Sequence, residues 1–164
     1  MDGLTAPRFP ARAAARDAAL LALVWLAWGR IDGASDAYQL GLAVGTVAIA
    51  FVGHEWGHWV GGRIAGARLD PSRSVLSPFL FRFARSNSTR QFVIMSLGGF
   101  VASAVAVALL VMLLPSDTFA TRVTHVLVAL GVLATFVLEV PELVRVVRSG
   151  RFPEGFAYVD LDPA

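Results

Sequence analysis

The sequence has no cysteine and no lysine, and only 16% of its 164 residues carry a charged side chain. Without cysteine there is no disulfide framework, no thiolate metal site and no thiol redox chemistry. Soluble domains carry about 25% charged residues. Here the charge is far lower and 56% of residues are hydrophobic, too many for one water-soluble core to bury. The same apolar content excludes a disordered chain, and there is no internal repeat or low-complexity tract. All fourteen basic residues are arginines. A pI near 9.9 would suit a nucleic-acid binder. The arginines flank apolar runs instead of forming one basic face, so nucleic acid is excluded as a partner.

The apolar residues that are present gather into runs. A helix crosses the hydrocarbon of a bilayer with about 20 apolar residues. The clearest run, residues 92–114, is uncharged and ends before Pro115. Two others cover residues 38–64 and 123–147, each interrupted by ionisable residues. A shorter run, Ala18 to Trp28 within an approximate span of 13–29, crosses only if Arg12, Arg16 and Asp17 snorkel to the headgroups. It also has the length of a secretory signal, with arginines before it and Ser35-Asp36-Ala37 resembling a cleavage site. Its Trp25 and Trp28 favour an interfacial anchor. The expected fold is an all-α integral membrane protein of about four transmembrane helices, one membrane domain over residues 1–164.

Arginine placement sets the expected orientation. With the N-terminus inside, twelve arginines fall in inner segments, and only Arg30 and Arg122 fall outside. Both termini are therefore expected in the cytoplasm of a bacterial-type cell, with a cytoplasmic loop at 65–91 and a tail at 148–164. In that loop Ser74–Phe83 is apolar and rich in strand formers, yet too short to span. It reads as an edge strand or hairpin on the membrane surface, or as an interfacial loop whose phenylalanines dip into lipid.

The second run contains His54-Glu55-Trp56-Gly57-His58, a HExxH spacing. On a helix, positions i and i+4 share a face, so both imidazoles can point at one metal while Glu55 stands ready to take a proton from water. This composition produces that spacing by chance in about 0.1% of sequences. Ionisable groups in a spanning helix cost about 2–3 kcal/mol or more each, a cost that metal ligation offsets. Gly53, Gly57 and Gly61 recur every four residues and permit close approach of a second helix.

A catalytic zinc takes a third protein ligand and keeps a position open for water. At 1.5 Å per residue, His58 lies about 12 Å from the inner end of its helix. Glu139 and Glu142 lie about 12 and 8 Å from the inner end of theirs, and Gly98 and Gly99 close to 10 Å deep in the run between. Asp117 and His125 fall near the opposite surface and are out of reach.

These residues resemble those of the site-2 proteases, a family of intramembrane zinc metalloproteases, over roughly residues 40–148. HEWGHWVGGRIAGARL is similar to the family's zinc-binding segment, and SLGGFVAS, Ser96 to Ser103, to its glycine-rich segment. LEVPELVRVV, Leu138 to Val147, stands where the family has its third ligand. Aligning Arg145-Val146 with the family's Arg-Val puts Glu142 at that ligand, with Glu139 the alternative. The resemblance is to a minimal form without extra domains. It implies a zinc-dependent endopeptidase that hydrolyses peptide bonds in or near membrane-spanning segments of a protein or peptide substrate. Zinc would be held by His54, His58 and Glu142, with Glu55 catalytic. Gly98, Gly99 and the Ser74–Phe83 loop are candidate substrate contacts. The alternative is an inactive, metal-binding relative that binds a membrane partner. Oligomeric state is not legible.

Overall fold

The structure is a computed structural model and describes residues 9–72, 74, 76–77, 79–155 and 157–161. Four helices form a bundle: α1 (Ala11–Trp28), α2 (Asp36–Ile64), α3 (Thr89–Leu113) and α4 (Phe119–Ser149). Serine or threonine caps three of their N-termini. Ser35 accepts from the Tyr38 N–H and Thr118 from the Thr121 N–H. Ser88 and Gln91 each accept from the other's backbone N–H, satisfying two otherwise orphaned donors at the start of α3. Gly150 closes α4 in the left-handed region, φ 65°, where a side chain would be strained.

Three helices, α2, α3 and α4, are long and apolar enough to cross a membrane. The 18-residue α1 falls short because Arg12, Arg16 and Asp17 occupy its first two turns. Hydrogen bonds still tie it to α2. Trp28 Nε1 donates to Thr46 Oγ1 at 3.0 Å, and Trp56 Nε1 to the buried Asp17 carboxylate at 2.9 Å. The α4 helix runs through Pro141, whose missing N–H leaves the Val137 carbonyl without its helical partner.

A three-stranded sheet sits at the end of the bundle where α2 ends and α3 begins. It comprises β1 (Leu69–Pro71), β2 (Phe81–Ala84) and β3 (Tyr158–Val159), in the order β1-β2-β3. The β1–β2 pair is antiparallel, with Leu69 opposite Phe83; β2–β3 is parallel, with Phe83 opposite Tyr158. Alternation along β2 turns Phe81 and Phe83 inward and Arg82 outward, where it pairs with Asp70. Buried Leu80, Phe83, Phe92, Met95 and Val146 join the sheet to α3 and α4.

The sheet corrects two expectations. Among the described residues of Ser74–Phe83, the last part is strand; it pairs antiparallel with β1 and parallel with β3, so it is central and no edge strand. Its second partner comes from the tail, to which the sequence reading gave no role. Pro78, expected to limit pairing, lies outside the described residues.

Candidate metal centre

The contact between α2 and α3 is backbone against backbone. A Cβ on Gly57 would overlap the Gly98 carbonyl, and one on Gly61 would stand 2.7 Å from the Ile94 carbonyl. A Cβ on Gly99 would overlap the His58 ring. Glycine at these positions brings α3 carbonyls within reach of α2 imidazoles. In the resulting antiparallel register His54 Nδ1 lies 3.1 Å from the Gly99 carbonyl, and His58 Nδ1 lies 3.0 Å from the Met95 carbonyl.

A carbonyl oxygen can only accept, so each Nδ1–H is the donor. That fixes the tautomer: in a neutral imidazole the Nε2 lone pair is then free and aimed away from α3. Ser103 Oγ, 2.8 Å from His54 Nδ1, adds a second contact on the same side.

Both Nε2 atoms point at Glu139 of α4. His54 Nε2 lies 3.0 Å from Oε1 and His58 Nε2 3.4 Å from Oε2, while the two Nε2 atoms are 2.9 Å apart. Three acceptors thus face one another with their donors turned outward. Such an arrangement is repulsive unless a shared cation, either a proton or a metal ion, lies among them. Ligands about 2.0–2.1 Å from a tetrahedral centre stand about 3.3–3.4 Å apart, a few tenths of an ångström from the separations here. The donor set fits a metal ion: His54, His58 and Glu139 offer ligand atoms all within 4.8 Å of one another.

Glu142, the preferred third ligand in the sequence reading, does not join this group. Three residues on from Glu139, it turns toward the tail and accepts a hydrogen bond from the Tyr158 hydroxyl. Burial and this carboxylate raise the Tyr158 phenol above its ordinary range. The alternative, Glu139, is the carboxylate that meets the histidines. Gly98 and Gly99 form the α2–α3 contact and the support for His58.

Glu55 is buried beside the pair, and its Oε2 accepts from the Leu80 N–H at 3.4 Å. Leu80, the residue before β2, therefore closes over Glu55 while its carbonyl accepts from the Ser72 N–H at 2.9 Å. Arg16 holds the Ser74–Phe83 segment by donating to the Ser77 carbonyl at 2.8 Å. Sequence reading missed Ser103 and Tyr158. Ser103 left a signal: it and Ser96, two turns apart, are the polar residues of an otherwise apolar run. Tyr158 left none, because its role depends on the tail folding back. Comparison of the chain with protein-family models, with curated proteins and with solved structures finds no match.

Proposed function

We propose that this protein is an intramembrane zinc-dependent endopeptidase resembling the site-2 proteases, acting on peptide bonds in or near membrane-spanning segments. The observation that carries the reading is the convergence of His54 Nε2, His58 Nε2 and the Glu139 carboxylate, with both Nδ1 atoms anchored to α3. Two histidines and a glutamate form a ligand set of catalytic zinc, which keeps one position open. Three apolar helices support placement in a bilayer. In this reading the membrane is of bacterial type, and the arginine distribution supports both termini cytoplasmic with α1 as a fourth, snorkelling span.

A divalent ion in this group supplies Lewis acidity and makes water acidic enough to lose a proton near neutral pH. Glu55 is the base. With Oε2 held by Leu80, Oε1 is left to take the proton from water and return it to the departing amine. The substrate must present an unwound segment, since a helical peptide bond is shielded by its own turns. A second reading, metal binding without turnover, is favoured by one observation: Glu55 is only 8% exposed and already engaged by the loop.

The test is cleavage of a panel of single-span model proteins co-reconstituted in liposomes, read by mass spectrometry. The wild type is expected to cleave; Glu55→Gln is expected to keep its zinc and lose about 10²-fold or more in rate. Cleavage by Glu55→Gln at the wild-type rate contradicts the reading. Zinc binding with no cleavage by the wild type favours the second.

A further inference from the structure

Two cavities among the described residues of the bundle bear on the site. The larger, about 700 Å³ between α1, α2 and α3, reaches none of the three metal-facing side chains. The smaller, about 110 Å³ between α2, α3 and α4, is lined at one end by His54, Ser103 and Glu139. From there it extends away from the sheet. Val47 on α2 is seven residues from His54, about 10 Å along the helix, and Val128 on α4 is eleven residues from Glu139. Its walls are chiefly apolar.

Gly131 of α4 lines this cavity, and a Cβ built there meets nothing within 4 Å. Glycine inside a helix is unfavourable relative to alanine. At Gly57 and Gly98 that cost is offset by backbone contact, whereas at Gly131 no neighbour requires it. What the absent side chain leaves is space in the same cavity that His54 lines at one end.

We propose that this cavity receives the aliphatic side chain of the substrate residue next to the scissile bond, a proposal that rests on the endopeptidase reading. Continuity with the donors is the first argument: a side chain in the cavity leaves its own carbonyl at the His54–Glu139 end, where hydrolysis takes place. Volume is the second. An apolar cavity of about 150 Å³ takes a benzene, so one of 110 Å³ takes a branched chain of about four carbons. Lining is the third, since Val47, Val128 and Val132 offer no partner to a polar side chain. The substrate class is thus a membrane segment with leucine, isoleucine or valine at the cleavage position.

The test uses the zinc-loaded full chain in detergent micelles and two probes, the hydroxamates of N-acetylglycine and N-acetylleucine, with binding read by calorimetry and zinc content measured in parallel. Each buried methylene contributes about fourfold in affinity. The wild type is expected to bind the leucine probe at least about tenfold more tightly. Gly131→Leu, which fills the cavity, is expected to bring that ratio close to one while zinc content and affinity for the glycine probe stay unchanged. Micellar partitioning is the same for both proteins and cancels. Val132→Ala, which enlarges the cavity, is expected to shift preference toward the N-acetylphenylalanine hydroxamate. A Gly131→Leu protein that keeps the leucine preference overturns the pocket and leaves the metal site standing. Equal binding of both probes by the wild type also overturns it and marks the cavity as water space. A wild type that holds no zinc and binds neither probe overturns the endopeptidase reading and the pocket together.

Discussion

Three glycines at the α2–α3 contact and one on α4 do opposite things. At the α2–α3 contact, Gly57, Gly61 and Gly98 let backbones touch, and a single methyl group at any of them meets backbone atoms. On the α4 side, a Cβ at Gly131 would meet nothing within 4 Å, and the glycine lines the cavity that reaches His54. The first set brings the Gly99 and Met95 carbonyls, with Ser103 Oγ, close enough to orient the imidazoles. The second leaves the site accessible. A residue type read from sequence as a packing signal therefore carries two meanings, and only the neighbouring helix distinguishes them.

The largest effect is expected at the close contact. Gly98→Val forces its side chain into the Gly57 carbonyl, and overpacking of this kind costs about 3 kcal/mol or more. The variant should lose both its folded bundle, seen by size exclusion and thermal unfolding, and its zinc. A stable, zinc-loaded Gly98→Val would show that the contact does not govern the site.

Next comes the choice of carboxylate on α4. Glu139→Ala should lower zinc affinity beyond the roughly 10–100-fold that removal of a mere supporting partner costs. Glu142→Ala, whose carboxylate meets Tyr158, should lower it about tenfold at most. Competition against a calibrated chelator separates the two, and the reverse ranking would return Glu142 to the ligand position.

A smaller effect belongs to the tail. Tyr158→Phe removes a hydrogen bond to a carboxylate and should destabilise the protein by about 1–2 kcal/mol in denaturant unfolding. The Tyr158 phenol is raised in the folded state, so its contribution is complete below the unfolded value near 10 and is lost as pH rises beyond it. Wild-type stability should decline above about pH 10, and that part of the decline should be absent in Tyr158→Phe.

The smallest effect is expected at the open glycine. Gly131→Ala adds a methyl group to empty space in a helix, so stability should be unchanged or rise by up to about 1 kcal/mol. A clear loss of stability there would mean that α4 packs more closely than the cavity implies.

Much of this architecture is legible in the amino-acid order, for identifiable reasons. Runs of uncharged residues and capping serines and threonines fix where α2, α3 and α4 begin, and the i, i+4 spacing puts His54 and His58 on one face. The depth arithmetic brings both Glu139 and Glu142, about 12 and 8 Å from the inner end of α4, to the level of the histidines. Alignment on Arg145-Val146 favours Glu142. Spacing along one helix cannot decide between two acids three residues apart, because which one faces α2 depends on how α4 is rotated. The parallel pairing of Phe83 with Tyr158 was hidden for a related reason: it joins residues seventy-five apart through a turn of the tail that no local pattern announces. Likewise α1 has helical length, but its Arg12, Arg16 and Asp17 hold it below the apolar content of the other three.

The proposed grip of His54, His58 and Glu139 on one divalent ion between three helices is open to a direct check by zinc stoichiometry of the purified protein and its histidine variants. One zinc per chain is expected in the wild type and none in His54→Ala or His58→Ala. A wild type without zinc, or either variant retaining a full equivalent, would contradict that grip.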